Sequence, residues 1–164
     1  VGLGRIGSAV ANIAQAFGMK VVAYTSRRQE ELPGYIKKAG MDEIFMQSDV
    51  VSLHCPLTEE TRYLVDEKRL RMMKKNAILI NTGRGPLIDE AAVANALNQG
   101  KLGAYAADVL SVEPAQADNP LLSAPRVQLT PHIAWATREA RERLMQICAL
   151  NIAHFIEGNP QNTV

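Results

Sequence analysis

The stretch Val1-Gly2-Leu3-Gly4-Arg5-Ile6-Gly7 decides the fold, because it fits the pattern G-x-G-x-x-G. In such a turn the first glycine makes a tight change from strand to helix, and the second lets the backbone approach a pyrophosphate. The third lets the helix pack closely on the sheet, and the helix N-terminus faces the phosphates. An ordinary glycine-rich turn is the alternative, but a helical pattern and then a strand follow here, which is the context that the motif requires.

The sequence beyond this turn alternates between helical and strand patterns. Apolar residues from Ile6 to Phe17 recur on one face of a helix that Gly18 can end. Further helices are predicted after Asp66, from Asp89 or Glu90, and over about 137–157. Short runs that are apolar on both faces predict buried parallel strands at 21–24, 50–54, 77–81, 104–109 and 127–129.

This alternation predicts an α/β fold with a doubly wound parallel sheet. The glycine turn at its start makes it a Rossmann-type NAD(P)-binding domain. We expect residues 1–164 to form a single dinucleotide-binding domain, which the length of 164 residues suits. Because Gly2 is the first glycine of the phosphate turn, we expect the first strand to be largely truncated before it. That strand normally lies at the centre of the sheet, next to the topological switch point.

Composition excludes several classes of protein. The 18 Lys and Arg residues almost balance the 17 Asp and Glu residues, so the chain has no charge excess that would favour nucleic acid or an anionic membrane. No apolar run approaches the roughly 18 residues of a membrane span. Cys55 and Cys148 are far apart, which indicates neither a disulfide framework nor a metal site and is typical of a reducing compartment. We therefore expect a cytoplasmic protein.

The end of the first complete predicted strand bears on the choice of cofactor. An acidic residue that binds the ribose hydroxyls is expected at position 25, but the sequence has Thr25, followed by Ser26, Arg27 and Arg28. A carboxylate would repel a 2′-phosphate, whereas a hydroxyl group followed by arginines can accept one. The segment therefore favours NADP(H) over NAD(H). The alternative is that the two arginines belong to an ordinary solvated loop.

Three further segments, 81–85, 108–114 and 130–135, stand at the carboxyl ends of predicted strands, where such sheets bind ligands. Arg84 offers a bidentate fork for a carboxylate. His132 can transfer a proton near neutral pH, and a nearby carboxylate such as Glu113 can orient it and raise its pKa. Taken singly, these residues also fit a surface cation, a loop histidine and a residue at a helix start.

Taken together and in this order after the glycine turn, the segments resemble the D-isomer-specific 2-hydroxyacid dehydrogenase family over essentially the whole chain. The resemblance includes Ser52-Leu53-His54-Cys55-Pro56-Leu57-Thr58 with Thr61 following, and the spacings between Arg84, Glu113 and His132. Within the family, residues 132–141 are most similar to glycerate dehydrogenases, also called hydroxypyruvate reductases. The resemblance implies hydride transfer between NAD(P)H and a small 2-keto or 2-hydroxy acid, with hydroxypyruvate and D-glycerate, or glyoxylate, as the expected substrate.

The resemblance also implies roles for single residues. Arg84 would bind the substrate carboxylate, His132 would be the acid/base, and Glu113 would pair with His132 and favour its protonated form. Asp108 would lie by the nicotinamide carboxamide. Residues that would bind the cofactor are Gly2, Gly4, Arg5, Ile6, Gly7, Thr25, Ser26, Arg27, Arg28, His54, Cys55, Pro56, Thr61, Thr82, Gly83, Arg84, Asp108, His132 and Ala134. No metal is implied.

The family places its active site between this domain and a substrate-side domain, which we expect to be absent from this chain. We therefore expect negligible turnover by the 164 residues alone, and a homodimer is the expected assembly. A non-catalytic, cofactor-sensing interaction protein on the same frame, as among the related corepressors, is the alternative. Trp135 is expected to shape the substrate pocket, to form a subunit contact or to pack in the core.

Overall fold

The computed structural model describes residues 1–163. The chain forms two compact units, Val1–Pro131 and His132–Val164. The first contains six strands, namely β1 (Val21–Ala23), β2 (Ile36–Lys38), β3 (Val50–Leu53), β4 (Ile78–Asn81), β5 (Ala104–Ala107) and β6 (Val127–Leu129). Its α-helices are α1 (Arg5–Ala16), α2 (Met41–Gln47), α3 (Glu67–Met72) and α4 (Glu90–Asn98), and its 3-10 helices are Gln29–Glu31, Gly85–Leu87 and Pro120–Leu122. The second unit contains α5 (Arg138–Ile156).

All described strand pairs are parallel, which confirms the predicted α/β class. β1 pairs with β2, and a second sheet has the order β3-β4-β5-β6. Residues 1 and 2 lie between the two sheets: the Gly2 amide donates to the Tyr24 carbonyl at 3.0 Å, and the His54 amide donates to the Val1 carbonyl at 2.8 Å. The glycine turn therefore starts from the position that a strand between β1 and β3 would take.

The main core lies around β3, β4 and β5. Val51 and Leu79 of the sheet are almost completely buried, and so are Phe45 of α2 and Val93 of α4. Val51 and Leu79 pair in register and lie on the same face of the sheet, whereas Val50 and Ile78 on the other face are 36% and 37% exposed. The strand patterns predicted burial on both faces, but among the described residues one face is covered much more completely than the other. This burial fixes the carboxyl ends of the strands, where the candidate site residues follow.

The helix starts agree with the sequence. The side chains of Asp66 and Asp89 accept hydrogen bonds from the backbone amides of Arg69 and Ala92, so they cap α3 and α4. Thr137 caps α5 in the same way. None of the described helices has the length and apolar character that crossing a membrane requires.

Helix α1 buries a different face from the one that its large apolar residues mark. Gly7 and Ala11 are buried, whereas Ile13 is 59% exposed and Phe17 82% exposed. Gly7 faces inward because the start of α1 approaches the backbone of Gly2 very closely. In α5, too, the large apolar side chains predicted to share one side are exposed, for example Phe155.

Candidate functional site

The candidate site residues of the first unit follow the carboxyl ends of parallel strands, so they gather at one edge of the fold. Residues 25–28 follow β1, residues 54–56 follow β3, residues 82–85 follow β4 and Asp108 follows β5. We call residues 25–28 the Thr25 loop, residues 82–85 the Arg84 loop and residues 109–119 the Glu113 loop.

The glycine turn has the geometry that its pattern predicts. Gly2 has a φ of +85°, and a Cβ built on it would lie 2.7 Å from the backbone of His54 and Cys55. A Cβ on Gly7 would lie only 2.1 Å from the Gly2 carbonyl oxygen. Only glycine satisfies these contacts, because real Cβ atoms do not approach backbone atoms so closely.

The middle glycine leaves room for a ligand. A Cβ built on Gly4 would meet no described residue within 4 Å beyond its chain neighbours, and Gly4 is the N-cap of α1. The first turn of α1, all of it described, contains no acidic residue. A helix N-terminus with free space in front of it and no carboxylate nearby attracts a phosphate. The residues present therefore fit the pyrophosphate of a dinucleotide.

The Thr25 loop is held by contacts at the surface. The Arg27 amide donates to Thr25 Oγ1 at 3.3 Å, and the Arg28 side chain, which is 80% exposed, forms an ion pair with Glu31 at 3.2 Å. Lys38 Nζ donates to the Arg27 carbonyl at 2.6 Å. The hydrogen bonds from Arg28 to the Glu31 carboxylate lower the pKa of Glu31. This loop therefore concentrates positive charge and already binds one internal carboxylate.

The segment after β3 places His54 and Cys55 beside the glycine turn. His54 Nε2 lies 2.9 Å from Ser52 Oγ, and burial lowers the pKa of His54. Burial also raises the pKa of the Cys55 thiol, so Cys55 is a weak nucleophile at neutral pH. Thr61 Oγ1 donates to the Pro56 carbonyl at 2.7 Å, which closes the loop that follows.

The Arg84 loop is held from below by a buried amide. Asn81, the last residue of β4, is completely buried. Its Nδ2 donates to the Arg84 carbonyl at 2.9 Å, and its Oδ1 accepts from the Gly83 amide at 3.0 Å. Both ends of the Asn81 amide thus fix the backbone of the loop, while the Arg84 side chain is exposed at its tip. Thr82, on the same loop, is also exposed.

Asp108 and Glu113 occupy different environments after β5. Asp108 is 5% exposed, and its carboxylate accepts a hydrogen bond from the Thr130 hydroxyl group. Its backbone amide donates to the Asn81 carbonyl at 3.1 Å, which ties it to the strand that carries the Arg84 loop. Glu113 is exposed, and its Oε1 accepts a hydrogen bond from the Leu110 amide at 2.9 Å.

In the second unit, His132 has a φ of +53°, a conformation that side-chain-bearing residues rarely adopt. Such backbone strain is common at functional sites. Trp135 Nε1 donates to the His132 carbonyl at 2.8 Å and stabilises this turn. Trp135 is 55% exposed among the described residues, and its three predicted roles stay predictions. Ala134, also predicted to bind the cofactor, is exposed in this turn.

Sequence reasoning misses the residues that support the loops. Asn81 is named only as the first residue of segment 81–85. A polar residue at the end of an apolar strand, two positions before a glycine, is nevertheless a signal for a turn in which the side chain bonds to the backbone. Glu90 is predicted only as a possible helix start, and Lys38 is not singled out. Among residues 1–163, no group of three or more His, Cys, Asp or Glu side chains is placed to bind a metal ion.

Residues 1–134 match the model of the D-isomer specific 2-hydroxyacid dehydrogenase NAD-binding domain. The chain belongs to this family. It is 46% identical to a hydroxypyruvate reductase of Blautia hydrogenotrophica, over all of this chain and 51% of that protein. Other relatives are named glyoxylate reductase and glycerate dehydrogenase, as the sequence resemblance indicated. The chain thus spans about half the length of the curated relatives it matches.

Solved structures show the same architecture with both cofactors. An acyclic imino acid reductase in complex with NADPH and D-Arg is 37% identical, with a TM-score of 0.89 over 99% of this chain and 52% of that one. A D-isomer specific 2-hydroxyacid dehydrogenase from Lactobacillus delbrueckii in its NAD complex is 34% identical, with a TM-score of 0.89 over 98% of this chain and 53% of that one. A Rossmann-type nicotinamide-dinucleotide domain is therefore confirmed, with NAD or NADP as its cofactor.

Proposed function

We propose that the chain is the cofactor-binding part of an oxidoreductase that transfers a hydride between NAD(P)H and a small 2-keto or 2-hydroxy acid. Hydroxypyruvate with D-glycerate, or glyoxylate, is the proposed substrate. The observation that carries the proposal is the completely buried Asn81, which holds the Arg84 loop at the edge where the glycine turn opens. An exposed arginine on a rigid backbone beside a dinucleotide site suits a carboxylate substrate.

In the proposed reaction the guanidinium of Arg84 binds and orients the substrate carboxylate. His132 donates a proton to the carbonyl oxygen during reduction and removes it in the reverse direction, and Glu113 favours the protonated imidazole. Asp108 would lie by the nicotinamide carboxamide of a bound cofactor. When bound, the cofactor supplies or accepts the hydride. The roles of these residues are supported by their order in the sequence and by the family resemblance.

We further propose that NADP(H) is preferred over NAD(H). Thr25 takes the place of the usual acid, and the exposed cations of the Thr25 loop suit a 2′-phosphate. A Thr25→Asp variant should bind NADPH about tenfold more weakly, because a carboxylate would repel the phosphate, while NADH binding is kept. Fluorescence titration with the two cofactors in parallel measures this, and an unchanged ratio of affinities would remove the argument for the phosphate.

The same proposal extends to the assembly. Substrate binding would require a second, substrate-side domain, a homodimer is the proposed assembly and the cytoplasm the proposed location. The relatives' greater length supports the second domain, and the two free cysteines, Cys55 and Cys148, support the location. The homodimer is supported by the family resemblance alone.

The deciding experiment measures oxidation of NADPH and NADH by the full protein with hydroxypyruvate, glyoxylate and pyruvate. We expect turnover with hydroxypyruvate or glyoxylate, and a His132→Ala variant should lose it while retaining cofactor binding. If none of the three acids supports cofactor oxidation, the proposed function is wrong. The 164 residues alone should bind cofactor but show negligible turnover.

A further inference from the structure

Glu90 has no part in the proposed chemistry, yet both oxygens of its carboxylate accept hydrogen bonds. Oε1 accepts from the Ser111 amide at 2.7 Å, and Oε2 accepts from Asn119 Nδ2 at 2.9 Å. Ser111 and Asn119 lie near the two ends of the Glu113 loop. One side chain, fixed in the first turn of α4, therefore ties down both ends of the segment that carries Glu113.

Asn119 carries this restraint into the core. Its Oδ1 accepts from the Leu121 amide at 2.9 Å and caps the short helix Pro120–Leu122. Leu121 is 1% exposed and belongs to the main core. The contact from Glu90 to Asn119 therefore joins the Glu113 loop to a packed anchor, so the position of this end of the loop is well defined.

The Glu113 loop also touches the Arg84 loop directly. A Cβ built on Gly85 would lie 2.0 Å from the Leu110 carbonyl carbon and 2.2 Å from the Ser111 nitrogen, so the two backbones are in close contact. The Leu110 amide donates to Glu113 and the Ser111 amide donates to Glu90. Two adjacent amides at this contact therefore bind two carboxylates: that of Glu113, which has a proposed function, and that of Glu90, which supports the loop.

We propose that Glu90 is a positioning residue that keeps the Glu113 loop in register with the Arg84 loop. This inference rests on the proposed function, because it explains how the two functional side chains keep a fixed separation. A displacement of about 1 Å can cost about a hundredfold in rate, so such a restraint has catalytic value.

The structure offers a variant pair that separates positioning from simple damage. In Glu90→Gln, the new amide can accept from Ser111, but its NH₂ group then faces the NH₂ group of Asn119. In Asn119→Asp, Oδ1 still caps Leu121, but two carboxylates oppose each other. In the double variant, the amide introduced at position 90 can donate to the carboxylate introduced at position 119 while its oxygen accepts from Ser111. The link is then restored with reversed polarity.

The experiment measures kcat/KM for hydroxypyruvate reduction and its pH profile in the full protein. Each single variant should lose about ten- to a hundredfold in kcat/KM, with the cofactor Kd unchanged. The descending limb of the profile should move to lower pH, because a displaced Glu113 supports a protonated histidine less well. The double variant should regain most of the loss. Glu67→Gln, which removes a first-turn carboxylate from α3, is the matched control and should behave as wild type.

Hydrogen exchange of the Ser111 amide separates this proposal from the proposed function. Its exchange should accelerate about tenfold in each single variant and be protected again in the double variant, whether or not the protein reduces a keto acid. An inactive wild-type protein would refute the proposed function alone. Normal kcat/KM in Glu90→Gln, unchanged exchange at Ser111, or a double variant no better than the single ones would overturn the positioning role.

Discussion

The Arg84 loop and the Thr25 loop are both arginine-bearing turns at the end of a parallel strand, but they are held in opposite ways. The Arg84 loop rests on a completely buried amide and on backbone contact with the Glu113 loop. The Thr25 loop is held by an exposed ion pair between Arg28 and Glu31. The difference teaches that the loop proposed to orient a small substrate is rigidly supported, whereas the loop proposed to bind a phosphate by charge is only lightly restrained.

The strongest test of the rigid loop is Gly85→Ala. The added Cβ would lie about 2 Å from backbone atoms of Leu110 and Ser111. Rotating a side chain cannot relieve this clash, because the atoms that the Cβ meets belong to the backbone. We expect the free energy of unfolding to fall by about 3 kcal/mol or more. Urea unfolding of the protein measures this. Gly34→Ala is the control, because its Cβ would have open space among the described residues; equal stability of the two variants would contradict the close contact.

Asn81→Ala should have the next largest effect. It leaves the Gly83 amide and the Arg84 carbonyl without their side-chain partner in a partly buried setting. We expect a loss of about 2 kcal/mol in the free energy of unfolding, and a larger rise in KM for the keto acid than for the cofactor. Thermal unfolding and steady-state kinetics measure the two effects. A rise in KM for the cofactor alone would show that Asn81 does not support the Arg84 loop.

Glu31→Gln tests the lightly restrained loop. Removal of the carboxylate should leave Arg28 freer to bind a 2′-phosphate, because the ion pair is exposed and weak. We expect NADPH to bind about two- to threefold more tightly, with NADH affinity and stability unchanged. Titration with both cofactors measures this, and Glu30→Gln, one position earlier, is the control. A large loss of stability would mean that this loop is as rigid as the other.

The smallest expected effect is a pH dependence of stability that arises at the junction between the two sheets. There the His54 amide donates to the Val1 carbonyl. Burial lowers the pKa of His54 below its usual value of 6.5, so the unfolded chain takes up the proton before the folded protein does. The free energy of unfolding should therefore fall as the pH decreases below about 6.5, and this contribution is fully present above that value. Unfolding curves at several pH values measure how steeply the free energy of unfolding changes with pH. His54→Gln should reduce this slope, and an unchanged slope would exclude this histidine as the cause.

The position of many candidate site residues at the ends of strands was predictable because its signals are local, whereas the roles of these residues stay predictions. The three glycines, the run from Thr25 to Arg28 and the polar residues that end the apolar strands each report on their own segment of backbone. The supports were harder to predict, because Asn81 and Glu90 act on residues that come from other positions in the chain. Glu90 reads in the sequence as an ordinary first-turn acid, and only folding brings Ser111 and Asn119 to its two oxygens.

The sequence by itself determined the parallel α/β class, the glycine turn and the family, since hydrophobic periodicity and motif spacing are carried by single elements. Tertiary structure decided which faces pack and which loops meet. Neither β2 nor α2 was predicted from the sequence. β2, with the sequence Ile36-Lys37-Lys38, is a strand only because it pairs with β1. α1 buries Gly7 and Ala11 instead of its large apolar residues, and at Gly7 the close approach to the backbone of Gly2 excludes a larger side chain. Packing between elements depends on the fit of surfaces that are distant in the sequence, and no local pattern records that fit.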